Sequence, residues 1–414
     1  FAATIEEGYN THIARMQSLC TFANGCFFSV NFGDSLTDLQ LSADRSISKS
    51  YLENIAGFAS TNYYVTDKFT VGAEARYTSE KKESRSISKQ AIYDYQGLIA
   101  SMVEAPEVYR TKTFNSFNPR FTAKYKVNDA TNLYAVAARG NKPGGFNNDR
   151  VTAQGLGTYD EETVWSFEGG AKNTFLDGDL IFNLAAFHNT IKGYQLTQSV
   201  IVQNTNTTTT VIDNVGKVRL MGIELEGNYH VPSIEGLNLT ANYAYTDSDI
   251  LKGTDIGEGR HLDTLDDMRV NCSIGYAVIT APLDCASGDN VLPGTIVGRQ
   301  LPRQAKHMAN FGVNYTKPVS DTMDFFLNSN LSMESKKYVQ VHNLAYAGAT
   351  TLLSANIGVE TDRFRVALWG KNLTDEKSIV QAIRFIDEAW SFQRAFGGTP
   401  RIGQQYGITV SANF

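Results

Sequence analysis

The stretch Gln404-Gln405-Tyr406-Gly407-Ile408-Thr409-Val410-Ser411-Ala412-Asn413-Phe414 decides the fold. Tyr406, Ile408, Val410, Ala412 and Phe414 are apolar or small, while Gln405, Gly407, Thr409, Ser411 and Asn413 are polar or tiny. Side chains on a strand point alternately to its two faces, so this segment is a strand with one greasy and one wet face. A chain that ends on such a strand with an aromatic last residue is expected to be a membrane-spanning β-barrel, in which the greasy face meets lipid rather than a soluble core.

Working back from that strand, the same alternation recurs. Phe69, Val71, Ala73, Ala75 and Tyr77 alternate with Thr70, Gly72, Glu74 and Arg76. Phe117, Pro119, Phe121, Ala123 and Tyr125 alternate with Asn118, Arg120, Thr122 and Lys124. Met221, Ile223 and Leu225 face away from Gly222, Glu224 and Glu226, and Leu353, Ala355, Ile357 and Val359 from Ser354, Asn356 and Gly358. Period-two segments of about ten residues are the signature of transmembrane strands. Thirteen are expected, centred near 51–64, 68–80, 114–126, 131–141, 162–174, 179–195, 214–230, 236–248, 305–316, 322–334, 351–360, 363–373 and 404–414. Short turns such as Val65-Thr66-Asp67 and Leu176-Asp177-Gly178 alternate with long connections near 83–113, 142–161, 196–213, 249–304, 335–350 and 374–403. Short turns mark the periplasmic side and long loops the extracellular side. The reading is therefore an all-β, transmembrane antiparallel barrel over 48–414, preceded by an extracellular loop segment over 1–47. An odd strand count whose last strand ends at the periplasm implies further strands upstream, since bacterial barrels are even-numbered.

Composition agrees. No run of about 18 apolar residues exists, which excludes a transmembrane helix. Mean hydropathy is slightly negative, as expected where lipid-facing and lumen-facing residues cancel. The 23 Phe and 20 Tyr suit interfacial aromatic girdles, and a net charge of −6 leaves no basic stripe for nucleic acid. Cys20/Cys26 and Cys272/Cys285 form two close pairs in non-strand sequence without a second half of a zinc motif. Two local disulfides made in an oxidising compartment are the expectation. The six histidines are scattered and none stands beside a nucleophile in a known motif, so no catalysis, no cofactor and no metal site is expected.

Several segments resemble the TonB-dependent outer-membrane receptors. Arg139-Gly140-Asn141-Lys142-Pro143-Gly144-Gly145-Phe146-Asn147 resembles the "RGxKxGGFN" strand end, and Glu162-Thr163-Val164-Trp165-Ser166-Phe167-Glu168-Gly169-Gly170-Ala171-Lys172 the "ETxWSxExGxK" strand. Asn214-Val215-Gly216-Lys217 followed by Gly222-Ile223-Glu224-Leu225-Glu226 is similar to "NxGKxxxxGxExE". Leu301-Pro302-Arg303-Gln304-Ala305 resembles "LPxxP" with Ala305 in place of the second proline, and Lys371-Asn372-Leu373-Thr374-Asp375-Glu376 matches "xNLTDE". The resemblance implies a barrel of 22 strands closed by an N-terminal plug, a size at which the lumen is plugged. The thirteen strands would be its C-terminal part, with plug and first strands absent from this chain. It further implies the bacterial outer membrane, lipid and lipopolysaccharide around the wall, and coupling to the TonB system through the plug. The expected ligand is a scarce nutrient, foremost a ferric siderophore; a carbohydrate or cobalamin receptor of the same fold and a passive porin-type channel are the alternatives.

Two groups of residues are candidates for the site. Glu74, Arg76, Arg120, Lys124, Arg139, Glu168, Lys172, Glu224 and Glu226 are read as lumen-facing charges, which either meet plug and ligand or pair across neighbouring strands. Binding residues concentrate on loops held by rigid scaffolds. Lys142 and Asn147 at a strand mouth, Arg260 and His261 in the longest loop, and Trp390 and Arg394 in the last one are the expected ligand contacts. Arginine suits an anionic chelate.

Overall fold

The computed structural model describes residues 2–12, 41–93, 99–104, 107–202, 207–255, 295–387 and 393–412. Three long strands open the chain: β1 (Ala2–His12), β2 (Leu41–Thr66) and β3 (Phe69–Tyr93). After the short β4 (Ile99–Glu104) come β5 (Val108–Lys126) and β6 (Thr131–Lys142), then the two-residue β7 (Gly145–Phe146) and β8 (Thr158–Tyr159). β9 (Glu162–Phe175) and β10 (Leu180–Lys192) lead to the hairpin β11 (Gln195–Val202) and β12 (Thr207–Asn214). β13 (Lys217–His230), β14 (Leu237–Lys252), β15 (His307–Ser320) and β16 (Met323–Glu334) follow, then the ribbon β17 (Lys337–Tyr338) and β18 (Tyr346–Ala347). The chain finishes with β19 (Thr350–Glu360), β20 (Phe364–Lys371), the hairpin β21 (Ile379–Asp387) and β22 (Gln393–Pro400), and β23 (Gln405–Ala412).

One antiparallel sheet contains the order β1-β2-β3-β5-β6-β9-β10-β13-β14-β15-β16-β19-β20-β23, with β4 attached to β3. From β2 onward the neighbours in this order follow one another along the chain, and all thirteen expected strands are in it. The shorter ribbons lie in the long connections. Two stretches differ from the reading above. Ala2–His12 is strand, not loop, and pairs with Asp44–Asn54 at the outer end of β2. β2 and β3 also stay paired from Leu41↔Tyr93 to Thr66↔Phe69, on the order of 80 Å of strand. Alternation of apolar residues marks only the part of a strand that crosses lipid; above it the strand continues in serine and charged residues.

Register keeps the two faces separate. One row across β9, β10, β13 and β14 contains Ala171, Leu184, Leu225 and Tyr243. The adjacent row on the other face contains Lys172, Asn183, Glu226 and Asn242. A one-residue slip would exchange these sets, so the pattern fixes the pairing. On the first face Phe117, Phe121, Phe167, Leu368 and Ile408 are each more than half exposed, an arrangement that only a lipid environment accommodates over so wide a surface. From Trp165 to Phe175 this face covers about 33 Å of β9, or about 25 Å of bilayer at the usual strand tilt.

The second face, toward the lumen, is stitched by polar pairs. Glu74 and Arg120 are direct cross-strand partners at 3.6 Å. Tyr134 donates to Glu168 at 2.7 Å, Asn183 to Glu226 at 3.0 Å, and Asn310 and Asn330 exchange two amide bonds at 3.0 Å. Each such pair stabilises the sheet by about 0.2–1 kcal/mol. The short turns close tightly: Gly236 has φ +80° and a Cβ there would sit 1.7 Å from the Thr316 carbonyl oxygen. Only glycine fits that approach.

Candidate functional site

At the extracellular end the lumen face changes character. Ile191, Val218, Leu220 and Ile250 replace the polar rows, and loop residues Leu196, Val215, Ile296, Leu301 and Val341 pack on them. Val218, Ile250 and Ile296 are completely or almost completely buried. Each fully buried side chain of this kind contributes about 1.5–3 kcal/mol, so the loop roots are held down as a small core of their own. A second core joins Val151 of the β6–β9 connection to Val211 of β12, with Leu156 and Val200 around them. Between the loops, buried His342 and Asp255 face each other at 3.1 Å.

Primary amides fasten these loops together. The Asn147 side chain donates to the carbonyls of Leu156 (2.8 Å) and Ile212 (2.7 Å) and accepts from the Ile212 N–H (2.8 Å). Asn214 donates to the carbonyls of Asp160 and Gly193, both at 2.9 Å, and accepts from the Asp160 N–H at 2.6 Å. Gln195 donates to the Pro143 and Asp160 carbonyls at 3.0 Å. Asn343 closes on Gln300 in both directions (2.7 and 3.0 Å), and Asn372 donates to the carbonyls of Glu376 and Ile402 (2.9 and 3.0 Å). An amide carries a donor and an acceptor side by side, so it pairs with a peptide group as a neighbouring strand would. Gly216 completes the arrangement: its φ is +143°, and the Lys252 carbonyl oxygen lies 1.7 Å from where a Cβ would be.

Beneath the fastened loops, the outer inner wall of β3 and β5 is cationic and aromatic. Lys82 and Lys112 lie 5.8 and 5.2 Å from the centre of the Phe114 ring, and Arg110 lies 5.3 Å from that of Phe146. Lys82 donates to the Gly144 carbonyl at 2.9 Å, Arg110 to the Gly157 carbonyl at 2.8 Å, and Lys112 pairs with Asp160 at 2.6 Å. Burial pushes the Arg110 guanidinium below its usual range, though arginine stays charged there. Burial also raises the Tyr159 phenol, which keeps it protonated. The wall thus sets ammonium and guanidinium groups beside flat rings, with Lys82 paired to Glu80 at 3.1 Å and Lys112 to Asp160, so an anionic, aromatic ligand would take over part of these pairings.

The family model described as "TonB dependent receptor-like, beta-barrel" matches residues 21–373. The chain belongs to the TonB-dependent receptors. Among curated proteins it is similar to the metal-pseudopaline receptor CntO of Pseudomonas aeruginosa, 27% identical over 156 residues, or 38% of this chain and 20% of that one. The pesticin receptor of Yersinia pestis is 23% identical over 178 residues, 43% of this chain and 24% of that protein. Of solved structures, the ferric yersiniabactin uptake receptor FyuA from Yersinia pestis superimposes with a TM-score of 0.64 at 15% identity, covering 91% of this chain and 49% of FyuA. The chain spans about half the length of that receptor, and the likeness establishes the shared fold.

In this TonB-dependent receptor the family motifs now have physical content. Asn147, Asn214 and Asn372 are motif residues, and all three are amide clamps at loop roots. Asn147 is 9% exposed with its amide fully engaged inside the protein, so it shapes the mouth from behind. Lys142 is exposed at the end of β6 and stands opposite Glu162. Arg394 lies on β22 opposite Ile386. Arg260, His261, Trp390 and the four cysteines Cys20, Cys26, Cys272 and Cys285 lie outside the described residues.

Of the expected lumen-facing charges, Glu74, Arg76, Arg120, Lys124, Glu168, Lys172, Glu224 and Glu226 share the wet face. Arg139 does not. It pairs in register with Trp165 on the apolar face, donates to the Phe117 carbonyl and meets Glu161 at 3.8 Å. Its place is the outer rim of the lipid band, where a long cationic side chain reaches the interface. The reading missed Lys82, Arg110 and Lys112 because it ended β3 at 80 and began β5 at 114.

Glu376, in the "NLTDE" motif, gives a pH signature. It accepts from the N–H groups of Thr351 (3.2 Å) and Ser378 (2.9 Å), and the Thr351 bond, ahead of the Ser378 one, holds its carboxyl below the ordinary value. A carboxyl depressed on folding contributes stability above its unfolded pKa and loses it as pH falls through the folded value. The protection factors of the Thr351 and Ser378 amides, with exchange corrected for its intrinsic pH dependence, should therefore fall on acidification below the usual carboxylate range. In Glu376→Gln that fall should disappear; if it persists, another group is responsible.

Proposed function

We propose that this receptor sits in the bacterial outer membrane, among lipid and lipopolysaccharide, and takes up an anionic ferric chelate of the siderophore type, with energy delivered by the TonB system through a plug domain. The observation that carries the reading is the Lys82–Arg110–Lys112 wall with Phe114 and Phe146 under the clamped loops. The names of two relatives support it, one a metal-pseudopaline receptor and one a ferric yersiniabactin uptake receptor. Ligand contacts are proposed at Lys142, Arg260, His261, Trp390 and Arg394, with Asn147 shaping the mouth. The pairs Cys20/Cys26 and Cys272/Cys285 are proposed to brace extracellular segments as disulfides. No catalytic role is proposed. A neutral carbohydrate would make no use of the cations, which places the ferric chelate ahead of the carbohydrate, cobalamin and passive-pore alternatives.

The test is equilibrium binding to the full-length purified receptor of ferric catecholate, hydroxamate and phenolate chelates, with maltooligosaccharide and cobalamin alongside. One ferric chelate should bind saturably, and Lys82→Gln/Lys112→Gln should weaken it by about tenfold, the roughly 1.4 kcal/mol expected for losing two charged contacts. Saturable binding of the carbohydrate or cobalamin, with every ferric chelate inert, would sink the reading.

A further inference from the structure

Above the membrane, the inner face of β3 and β5 sets two like charges opposite each other. Lys82 and Lys112 are direct cross-strand partners, and both ammonium groups lie near the ring of Phe114, one row closer to the membrane. The row beyond them contains Arg110, opposite Ser84. Like charges directly opposed destabilise a sheet, so three cations in two rows do not serve the wall itself. Charge of one sign gathered in one place raises the local concentration of counter-ions, which is what an anion site requires.

Glu80 stands against that charge from the neighbouring row. It lies in register between Asn54 on β2 and Phe114 on β5. Both of its carboxylate oxygens are engaged: Asn54 Nδ2 donates to one at 3.1 Å, and Lys82 Nζ lies 3.1 Å from the other. The Glu80 side chain is only 14% exposed. Asp160, the counter-ion of Lys112, is 76% exposed, so water competes for it and the pairing is weak. The two carboxylates therefore differ in kind. Asp160 can turn into solvent, whereas Glu80 is fixed in the wall. Lys82 also donates to the Gly144 carbonyl at 2.9 Å, which keeps its Nζ in place. A ligand anion that reaches Lys82 thus meets the Glu80 charge at the same nitrogen.

We propose that Glu80 is a resident counter-ion that sets the charge class of the ligand this wall accepts. It neutralises Lys82 while the site is empty and opposes every anion that binds there. Attraction scales with the product of the charges. A multiply anionic chelate still gains from Lys112, Arg110 and the partly masked Lys82, while a singly charged or neutral one gains little. A ferric tris-catecholate is multiply negative and brings flat rings to Phe114 and Phe146; a ferric tris-hydroxamate is neutral. The substrate class is the former. This rests on the ferric-chelate reading of the wall and narrows it.

Equilibrium binding of a ferric tris-catecholate and a ferric tris-hydroxamate to the full-length purified receptor tests it. The wild type should bind the tris-catecholate saturably and prefer it by about tenfold or more. Glu80→Gln removes the charge and keeps an oxygen for Asn54. It should tighten the tris-catecholate by about fivefold, with the gain shrinking at high salt, and leave the tris-hydroxamate unchanged. Glu83→Gln, which removes the partner of Lys81 on the opposite face of β3, should change neither. A shortfall in folded Glu80→Gln lowers the number of sites and not their affinity, so the titration separates the two. A wild type that does not bind the tris-catecholate or prefers the tris-hydroxamate, or a Glu80→Gln variant that binds the tris-catecholate no tighter, overturns the inference and leaves the wider ferric-chelate reading standing. Absence of saturable binding by every ferric chelate overturns both.

Discussion

Asn147→Ala in the full-length receptor should free the β6–β9 connection from the β11–β12 hairpin. The substitution removes three hydrogen bonds to Leu156 and Ile212 and leaves the freed peptide groups in a buried setting. Unmade bonds of that kind cost about 1–3 kcal/mol each when water cannot replace them, so a local loss of about 3 kcal/mol is expected. Amide exchange at Ile212, whose N–H donates to the Asn147 side chain, should rise by about two orders of magnitude, and chelate affinity should fall as the mouth loses its shape. Asn147→Asp should be as damaging, because a carboxylate cannot donate to the two carbonyls. Unchanged exchange together with lost affinity would show instead that Asn147 touches the ligand directly.

Gly216→Val is expected to have the larger effect on assembly. Its φ of +143° disfavours any β-branched residue, and the Cβ would lie 1.7 Å from the Lys252 carbonyl oxygen. The chain has to move, and it does so where β13 and β14 already shift register between Lys217 and Val218. The cost should exceed about 3 kcal/mol, the upper range for strained and overpacked sites. Heat-modifiable electrophoresis of outer membranes should show little folded Gly216→Val receptor. Gly57→Ala, where a Cβ meets nothing within 4 Å, should fold as the wild type does. Normal assembly of Gly216→Val would mean that the close approach to β14 is dispensable.

The membrane part of the fold was legible because lipid imposes a rule on the residues themselves. Every second position must be apolar, and the thirteen strands follow from that alternation and the spacing of turns. Above the bilayer the rule lapses. Ser84, Ser86 and Lys82 continue the inward row of β3 without any apolar partner row, so the sequence there reads as loop although the backbone is still paired with β2 and β5. The same lapse hid β1 and the β11–β12 and β21–β22 hairpins. Arg139 shows a second limit: alternation places it opposite to Gly140 and Ala138, but charge alone suggested the lumen. For the site, the family motifs fall at the loop roots. Their chemistry is that of fastening, with Asn147, Asn214 and Asn372 turned into the protein, while the cationic wall beneath them carries no motif and needs the register to be seen.

Energy-coupled capture of a ferric chelate is tested most directly by uptake of radioactive iron. Cells whose only receptor of this class is the full-length protein would be given the ferric chelate it binds, with and without a protonophore that collapses the inner-membrane gradient. The account predicts saturable accumulation that the protonophore abolishes and that Lys82→Gln/Lys112→Gln reduces about tenfold. Accumulation that rises linearly with concentration and ignores the protonophore would contradict it and identify a passive pore.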